Sequence, residues 1–263
     1  MNIVLVHGLW MTPLSWEHWV ARYEAAGHTV HAPSWPGLEA GVEALRKDPA
    51  PLARLDIRQI VDHYDGIIRA LPSPPVIIGH SFGGAFTQVL VDRGLGAAGV
   101  AISPAPVKGV LGLPLSTLRS SAPVLANPFN HGKATDPTEK QFRYTFGNTS
   151  TEAESRANYE RYHVPAANRV LFQGAAANFS PRSPLKVNFR NDTRAPLLFI
   201  STDHDHVVPQ SAARANFAKY KASAAPVEFK LFPGRSHFLC GEKGWEEIAD
   251  FALTWAEAKG AAN

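Results

Sequence analysis

The sequence predicts an α/β fold, a three-layer α/β/α sandwich on a mainly parallel sheet of about six strands, with a helical insertion. Three observations predict it. Short apolar, β-branched runs recur along the chain. Longer stretches with helical apolar spacing separate them. The apolar runs do not alternate with polar residues, as expected of strands buried on both faces of a parallel sheet.

The strand runs are Ile3–Val6, Thr29–Ala32, Pro75–Gly79, Gly99–Ile102, Leu197–Ile200 and Val227–Phe232. Helical patterns fall between them. Trp16–Ala26 stops at Gly27, a plausible C′ glycine. Ile57–Leu71 places Ile57, Ile60, Val61, Tyr64, Ile67, Ile68 and Leu71 on one face and is ended by Pro72. Gly83–Arg93 stops at Gly94, Gln210–Tyr220 follows Pro209, and Trp245–Ala258 repeats apolar residues at helical spacing. Arg46–Pro51 reads as a polar loop.

The rhythm breaks between Pro106 and Asp192, where no strand-like core run occurs and helices are expected near Pro137–Phe146 and Glu152–Tyr162. So long a stretch does not stay structureless in a compact domain. The expected organisation is a core domain of residues 1–105 and 193–263 with a helical cap or lid of residues 106–192 inserted.

Composition bounds the function. The 263 residues are 45% hydrophobic and 19% charged, an ordinary globular balance. Lys and Arg number 26 against 23 Asp and Glu, with no basic run, so no nucleic-acid partner is expected. Cys240 is the single cysteine, which excludes an intramolecular disulfide and points to a reducing compartment. No apolar run approaches the ~20 residues of a membrane span. Met1–His7 lacks the features of a signal peptide. A cytoplasmic protein with no membrane partner is the expectation.

The chemistry concentrates at strand ends. Gly79-His80-Ser81-Phe82-Gly83 lies between a buried-strand run and a helical run. A serine on such a turn is lifted clear of the sheet, and its neighbours must be small. The following helix aims its N–H groups and positive dipole end at a reacting carbonyl. Serine needs a base. His237 follows the last strand by the loop Pro233-Gly234-Arg235-Ser236. The base needs an acid. Both Asp203 and Asp205 follow Leu197–Ile200. The run Asp203-His204-Asp205-His206 also contains metal-ligand types, but adjacent residues rarely face one ion, and no metal or cofactor is expected. Backbone N–H donors for an oxyanion are expected at Phe82, after the nucleophile, and at Leu9, in the loop His7-Gly8-Leu9-Trp10 after the first strand.

Together, Val4-Leu5-Val6-His7-Gly8 with Trp16, then Ile78 through Gly84, Asp205 to Pro209 and Gly234 to His237, make a chain that resembles the α/β-hydrolase superfamily, in particular small bacterial serine esterase- and lipase-like members. The resemblance implies a Ser81–Asp205–His237 triad, in the chain order of that scaffold. It favours Asp205 over Asp203 because the acid of such proteins commonly stands four residues before a proline, here Pro209, although Thr202 stands where that loop usually has glycine. It also implies that two leading strands are missing, since the chain begins at the strand ending in His-Gly. Members acting on haloalkanes or epoxides carry aspartate at the elbow, which Ser81 argues against. The expected activity is hydrolysis of a small or medium apolar carboxylic ester through an acyl-enzyme, with Trp10, Trp35, Phe82 and Phe129 as candidate pocket residues. Two alternatives remain: lyase chemistry like that of hydroxynitrile lyases, for which Lys243 is the nearest lysine after His237, and a silent ligand-binding protein. The expected partner is a small-molecule ester, with monomer and homodimer both open.

Overall fold

The computed structural model describes residues 1–111 and 114–260. Its strands are β1 (Asn2–Val6), β2 (Thr29–His31), β3 (Val76–His80), β4 (Ala98–Ile102), β5 (Ala134–Thr135), β6 (Ala166–Ala167), β7 (Leu197–Ser201) and β8 (Val227–Leu231). Its α-helices are α1 (Glu17–Ala25), α2 (Val42–Lys47), α3 (Ala50–Arg54), α4 (Ile57–Arg69), α5 (Phe82–Asp92), α6 (Leu115–Leu125), α7 (Glu139–Thr145), α8 (Glu152–Tyr162), α9 (Asn168–Ala175), α10 (Gln210–Lys219) and α11 (Trp245–Gly260).

Six strands form one sheet in the order β2-β1-β3-β4-β7-β8, every pair parallel. Each of the six predicted runs supplies one of them. The four inner strands are almost wholly buried, which explains their unbroken apolar sequences. The edge strands β2 and β8 are partly exposed, and β8 alternates as Val-Glu-Phe-Lys-Leu. Helices cover both faces in a three-layer sandwich. In one layer α1 meets α11, where Tyr23 donates to the Ala249 carbonyl (2.8 Å) and Arg22 pairs with Asp250. In the other layer α4 packs on α5, which crosses β3 and β4.

From β1 the chain goes out to β2 and returns to β3 on the other side of β1. The carboxyl ends of β1 and β3 therefore flank a topological switch point, where open α/β sheets place their ligands. The parallel register continues past the strands: Ser81 N–H donates to Ile102 O (2.9 Å) and Ser103 N–H to Ile200 O (2.8 Å). This fixes the start of the β3–α5 turn against its neighbours.

One expectation needs correction. Arg46–Pro51 is not a loop; it spans the end of α2 and the start of α3, whose buried Val42, Leu45 and Leu52 anchor short helices. Between β4 and β7 the expected helices appear as α7 and α8, and α6, α9 and the antiparallel pair β5–β6 accompany them. These last three carry little sequence signal: the strands are two residues each, and α6 contains Pro123. No described helix is long and apolar enough to cross a membrane.

Candidate active site

Ser81 sits between β3 and α5 with φ 57° and ψ −119°, a conformation L-residues avoid. The sequence accommodates it with glycines. A Cβ on Gly83 would overlap the Val6 carbonyl of β1, and one on Gly79 the Gly83 carbonyl of α5. Strand and helix can cross this closely only without side chains at those positions.

His237 and Asp205 are both buried, and His237 Nδ1 lies 2.6 Å from Asp205 Oδ2. The other oxygen, Oδ1, accepts from the N–H groups of Val207 and Val208, each at 2.7 Å. The carboxylate is thus held from both ends. With Nδ1–H given to Asp205, His237 Nε2 carries the lone pair; it is buried and has no hydrogen-bond partner among the described residues. Asp203 does not meet His237. Its Oδ1 accepts from Gly234 N–H at 2.7 Å, and its side chain is exposed. His206 Nδ1 turns away to the Tyr144 carbonyl (2.9 Å), so the four side chains of Asp203–His206 do not gather on one point. Among the described residues no group of three or more metal-ligating side chains converges.

Two more histidines brace this centre. His80 Nε2–H donates to the His237 carbonyl at 2.7 Å, and the two rings lie 4.7 Å apart. Burial, and next the neighbouring His237, hold its pKa well below the usual imidazole range. His7 Nδ1–H donates to the Gly8 carbonyl (3.0 Å), while its Nε2 accepts from Trp35 N–H (3.3 Å). Burial lowers its pKa to about 4. Because the C=O and N–H of a trans peptide point in opposite directions, holding Gly8 O fixes where Leu9 N–H points. No hydrogen bond takes up Leu9 N–H among the described residues. Gly8 passes so close to the elbow that an added Cβ would stand 2.9 Å from Ser81 Cβ. Phe82 opens α5, where the first N–H groups lack helical acceptors.

A cavity of about 440 Å³ lies over Ser81. Trp10, Phe82, Val107, Leu118, Leu171 and Phe179 are among its walls, and no Asp, Glu, Lys, Arg or His among the described residues lines it. Two expected pocket residues are corrected. Trp35 is buried beneath the site, stacked on His7 at 4.7 Å, and does not reach the cavity. Phe129 is 82% exposed on a short 3-10 turn, also outside it. Lys243 is exposed and equally absent from the lining.

Sequence reasoning missed Glu242. This buried carboxylate accepts from Ser236 N–H (3.0 Å) and Thr149 Oγ1 (2.8 Å), and lies 2.7 Å from Ser236 Oγ. Ser236 Oγ also stands 2.7 Å from the Phe146 carbonyl, so the residue preceding His237 is tied to the segment between β4 and β7. That segment grips the acid loop too: Thr117, Ser120 and Asn148 donate to the carbonyls of Val207, His206 and His204. Nothing in the local sequence pairs these residues; the loops meet only in the fold.

A sequence profile described as "Alpha/beta hydrolase family" matches residues 3–251. A search of the curated proteins found no match. Among solved structures, the chain is similar to a pyrethroid hydrolase from Sphingobium faniae JZ-2 (20% identity, 98% of each chain covered, TM-score 0.68). It is also similar to an extracellular alpha/beta-hydrolase from a Paenibacillus species (19% identity, covering 97% of this chain and 98% of the other, TM-score 0.68). A third likeness is to a variant of tomato methylketone synthase I complexed with beta-ketoheptanoate (15% identity, covering 98% of this chain and 97% of the other, TM-score 0.72). At these identities the likeness is one of fold.

Proposed function

Since the chain belongs to the alpha/beta hydrolase family, we propose that it is a serine hydrolase cleaving an uncharged, apolar carboxylic ester through an acyl-enzyme. One observation carries the reading. A buried imidazole is fixed to a carboxylate through Nδ1, its Nε2 is left without a partner among the described residues, and its backbone carbonyl accepts from His80, the residue before a strained serine that lines an apolar cavity.

In this reading Ser81 Oγ attacks the ester carbonyl carbon and gives its proton to His237 Nε2. Asp205 holds the tautomer and stabilises the imidazolium that forms. The carbonyl oxygen becomes an oxyanion held by the N–H groups of Leu9 and Phe82. Collapse of the intermediate breaks the bond to the alcohol oxygen, which takes the proton from His237. Water then attacks the acyl-enzyme, with His237 as its base, and releases the acid and Ser81. His237 Nε2 and Ser81 Oγ are not yet hydrogen-bonded to each other. This fits a contact that tightens only when substrate is bound.

Residues 106–192 act as a cap that supplies most of the cavity wall, while Trp10 and Phe82 contribute from the core. A cytoplasmic location accords with the lone buried Cys240. The lyase alternative loses its lysine, because Lys243 stands outside the cavity.

The test is hydrolysis of p-nitrophenyl acetate and butyrate by the wild-type protein and by Ser81→Ala. The expected result is turnover by the former, a loss of at least about 10³-fold in the latter, and covalent labelling of Ser81 by a fluorophosphonate. Equal rates for the two proteins would sink the reading. Cyanide release from mandelonitrile without ester hydrolysis would replace it with the lyase.

A further inference from the structure

The cavity opens through an apolar rim. Six large hydrophobic side chains are exposed among the described residues, and four of them gather here. Leu111, Leu118 and Phe179 line the mouth, and Leu115 lies one turn before Leu118 on α6. Leu115 is 84% exposed and Phe179 89%, so neither contributes to the core. Single exposed apolar residues are ordinary, but a cluster at the entrance to an apolar cavity marks an interaction surface.

The chain segments that supply this rim carry charge of one sign. No acidic residue occurs between Asp92 and Asp136, or between Glu160 and Asp192, and these two stretches carry four and five cations. Every rim residue comes from them. Three of the cations are neutralised elsewhere: Arg93 by Asp62 and Asp65, Arg161 by Glu17, Arg169 by Asp56. Lys108, Arg119, Lys133, Arg182, Lys186 and Arg190 have no carboxylate partner among the described residues. Lys108 Nζ donates to the Ser180 carbonyl, next to Phe179, and Arg119 follows Leu118.

We propose that this rim docks on an anionic lipid–water interface, from which an uncharged ester passes into the cavity without crossing water. The docking stands on the patch and its charges; the delivery of an ester rests on the esterase reading above. The cavity mouth selects the occupant. A second protein chain seated on the rim blocks the way to Ser81, whereas a lipid surface is itself a source of apolar ligand. The cations suit an anionic surface, which attracts basic segments over about a Debye length. The absence of a membrane-spanning run does not oppose this, because peripheral docking needs only apolar side chains at headgroup depth with basic neighbours.

The experiment uses Ser81→Ala protein, so that binding is read without chemistry and a failure of the esterase reading leaves it intact. It is co-sedimented at low salt with vesicles of phosphatidylcholine alone and of phosphatidylcholine with phosphatidylglycerol in equal parts. Binding to the anionic vesicles is expected to be about tenfold tighter than to the neutral ones, to weaken with salt, and to fall at least about fivefold on adding Leu115→Glu. Circular dichroism melting of the Leu115→Glu protein checks that it folds; the side chain it replaces is exposed. Absence of binding to anionic vesicles overturns the proposal, as does equal binding with and without Leu115→Glu. A dimer in sedimentation equilibrium that Leu115→Glu dissociates also overturns it, by giving the rim to a second copy.

Discussion

Asp205 and Asp203 stand two residues apart in one loop and do different work. Asp205 bonds His237 at 2.6 Å, while Asp203 holds Gly234 N–H. Asn at 205 can still accept from Val207 and Val208, but it presents the wrong group to Nδ1 or forces the wrong tautomer. Asp205→Asn is therefore expected to lower kcat by about 10³–10⁴-fold. Asp203→Asn keeps an acceptor for Gly234 and should leave kcat within a few-fold; steady-state kinetics on p-nitrophenyl butyrate separates the two. His7 makes a prediction about pH. Its folded-state pKa, about 4, lies below the ordinary 6.5 because burial penalises the cation. Between these values an unfolded chain binds a proton that the folded chain refuses. Stability present above pH 6.5 is thus lost as the pH falls toward 4, by up to about 3 kcal/mol from this group. His80 acts in the same direction. Urea unfolding at about pH 7 and about pH 4.5 should show a smaller pH loss in His7→Asn than in wild type; equal losses would refute the assignment. Ser81 and the pair of aspartates stood out in the sequence because they closely follow the buried runs of β3 and β7, and His237 because its loop follows the last strand run, that of β8. Trp35 and Phe129 were misread because an aromatic residue's identity does not say which way its side chain points. Glu242 was invisible because its partners, Ser236 and Thr149, come from loops that meet only after folding.

At the scale of elements, the site depends on α5 lying almost in contact with β1 and β3. Gly83 faces the Val6 carbonyl, and backbone on both sides leaves nothing flexible to yield. Gly83→Ala is expected to prevent accumulation of soluble protein or to lower the melting temperature by more than about 10 °C, a change of several kcal/mol at this size. Far-ultraviolet circular dichroism during heating reads it. By contrast α4 tests an ordinary cap. Asp56 accepts from Gln59 N–H at 2.9 Å and the Gln59 side chain returns the bond at 3.0 Å. Asp56→Ala should cost about 1 kcal/mol and leave the ester kinetics unchanged. Helix α4 was legible because its apolar residues keep helical spacing over thirteen positions. Helices α2, α3 and α9 span six, five and eight residues, too short for periodicity to stand out, and they persist through tertiary burial rather than propensity.

For the whole molecule, strand order follows from the sequence only in part. The alternation of strands and helices fixes a parallel sheet, but the placement of β3 beside β1 is what turns two distant loops, His7–Trp10 and His80–Phe82, into one site. The cavity is assembled the same way, from the core loops and the segment between β4 and β7, and no local pattern announces its chemistry. That chemistry is uniform: among the described residues its lining contains no Asp, Glu, Lys, Arg or His, and the Ser81 hydroxyl opens into it. Several of its polar side chains are already engaged, Thr117 with Val207 O, and Asn178 with Gly109 N–H and Val110 O. An acyl chain ending in a carboxylate would give up its hydration with no cation to meet it, a penalty of several kcal/mol even after relaxation. Mono-p-nitrophenyl succinate and p-nitrophenyl butyrate share leaving group and chain length and differ in that charge. The ratio of their kcat/KM values should favour butyrate by at least about 10²-fold at about pH 7, and protonating the succinate carboxyl at about pH 5 should narrow the gap. Comparable values near neutral pH would mean that a cation such as Lys108 or Arg119 reaches the bound acyl chain, and that the cavity is not the apolar acyl site described above.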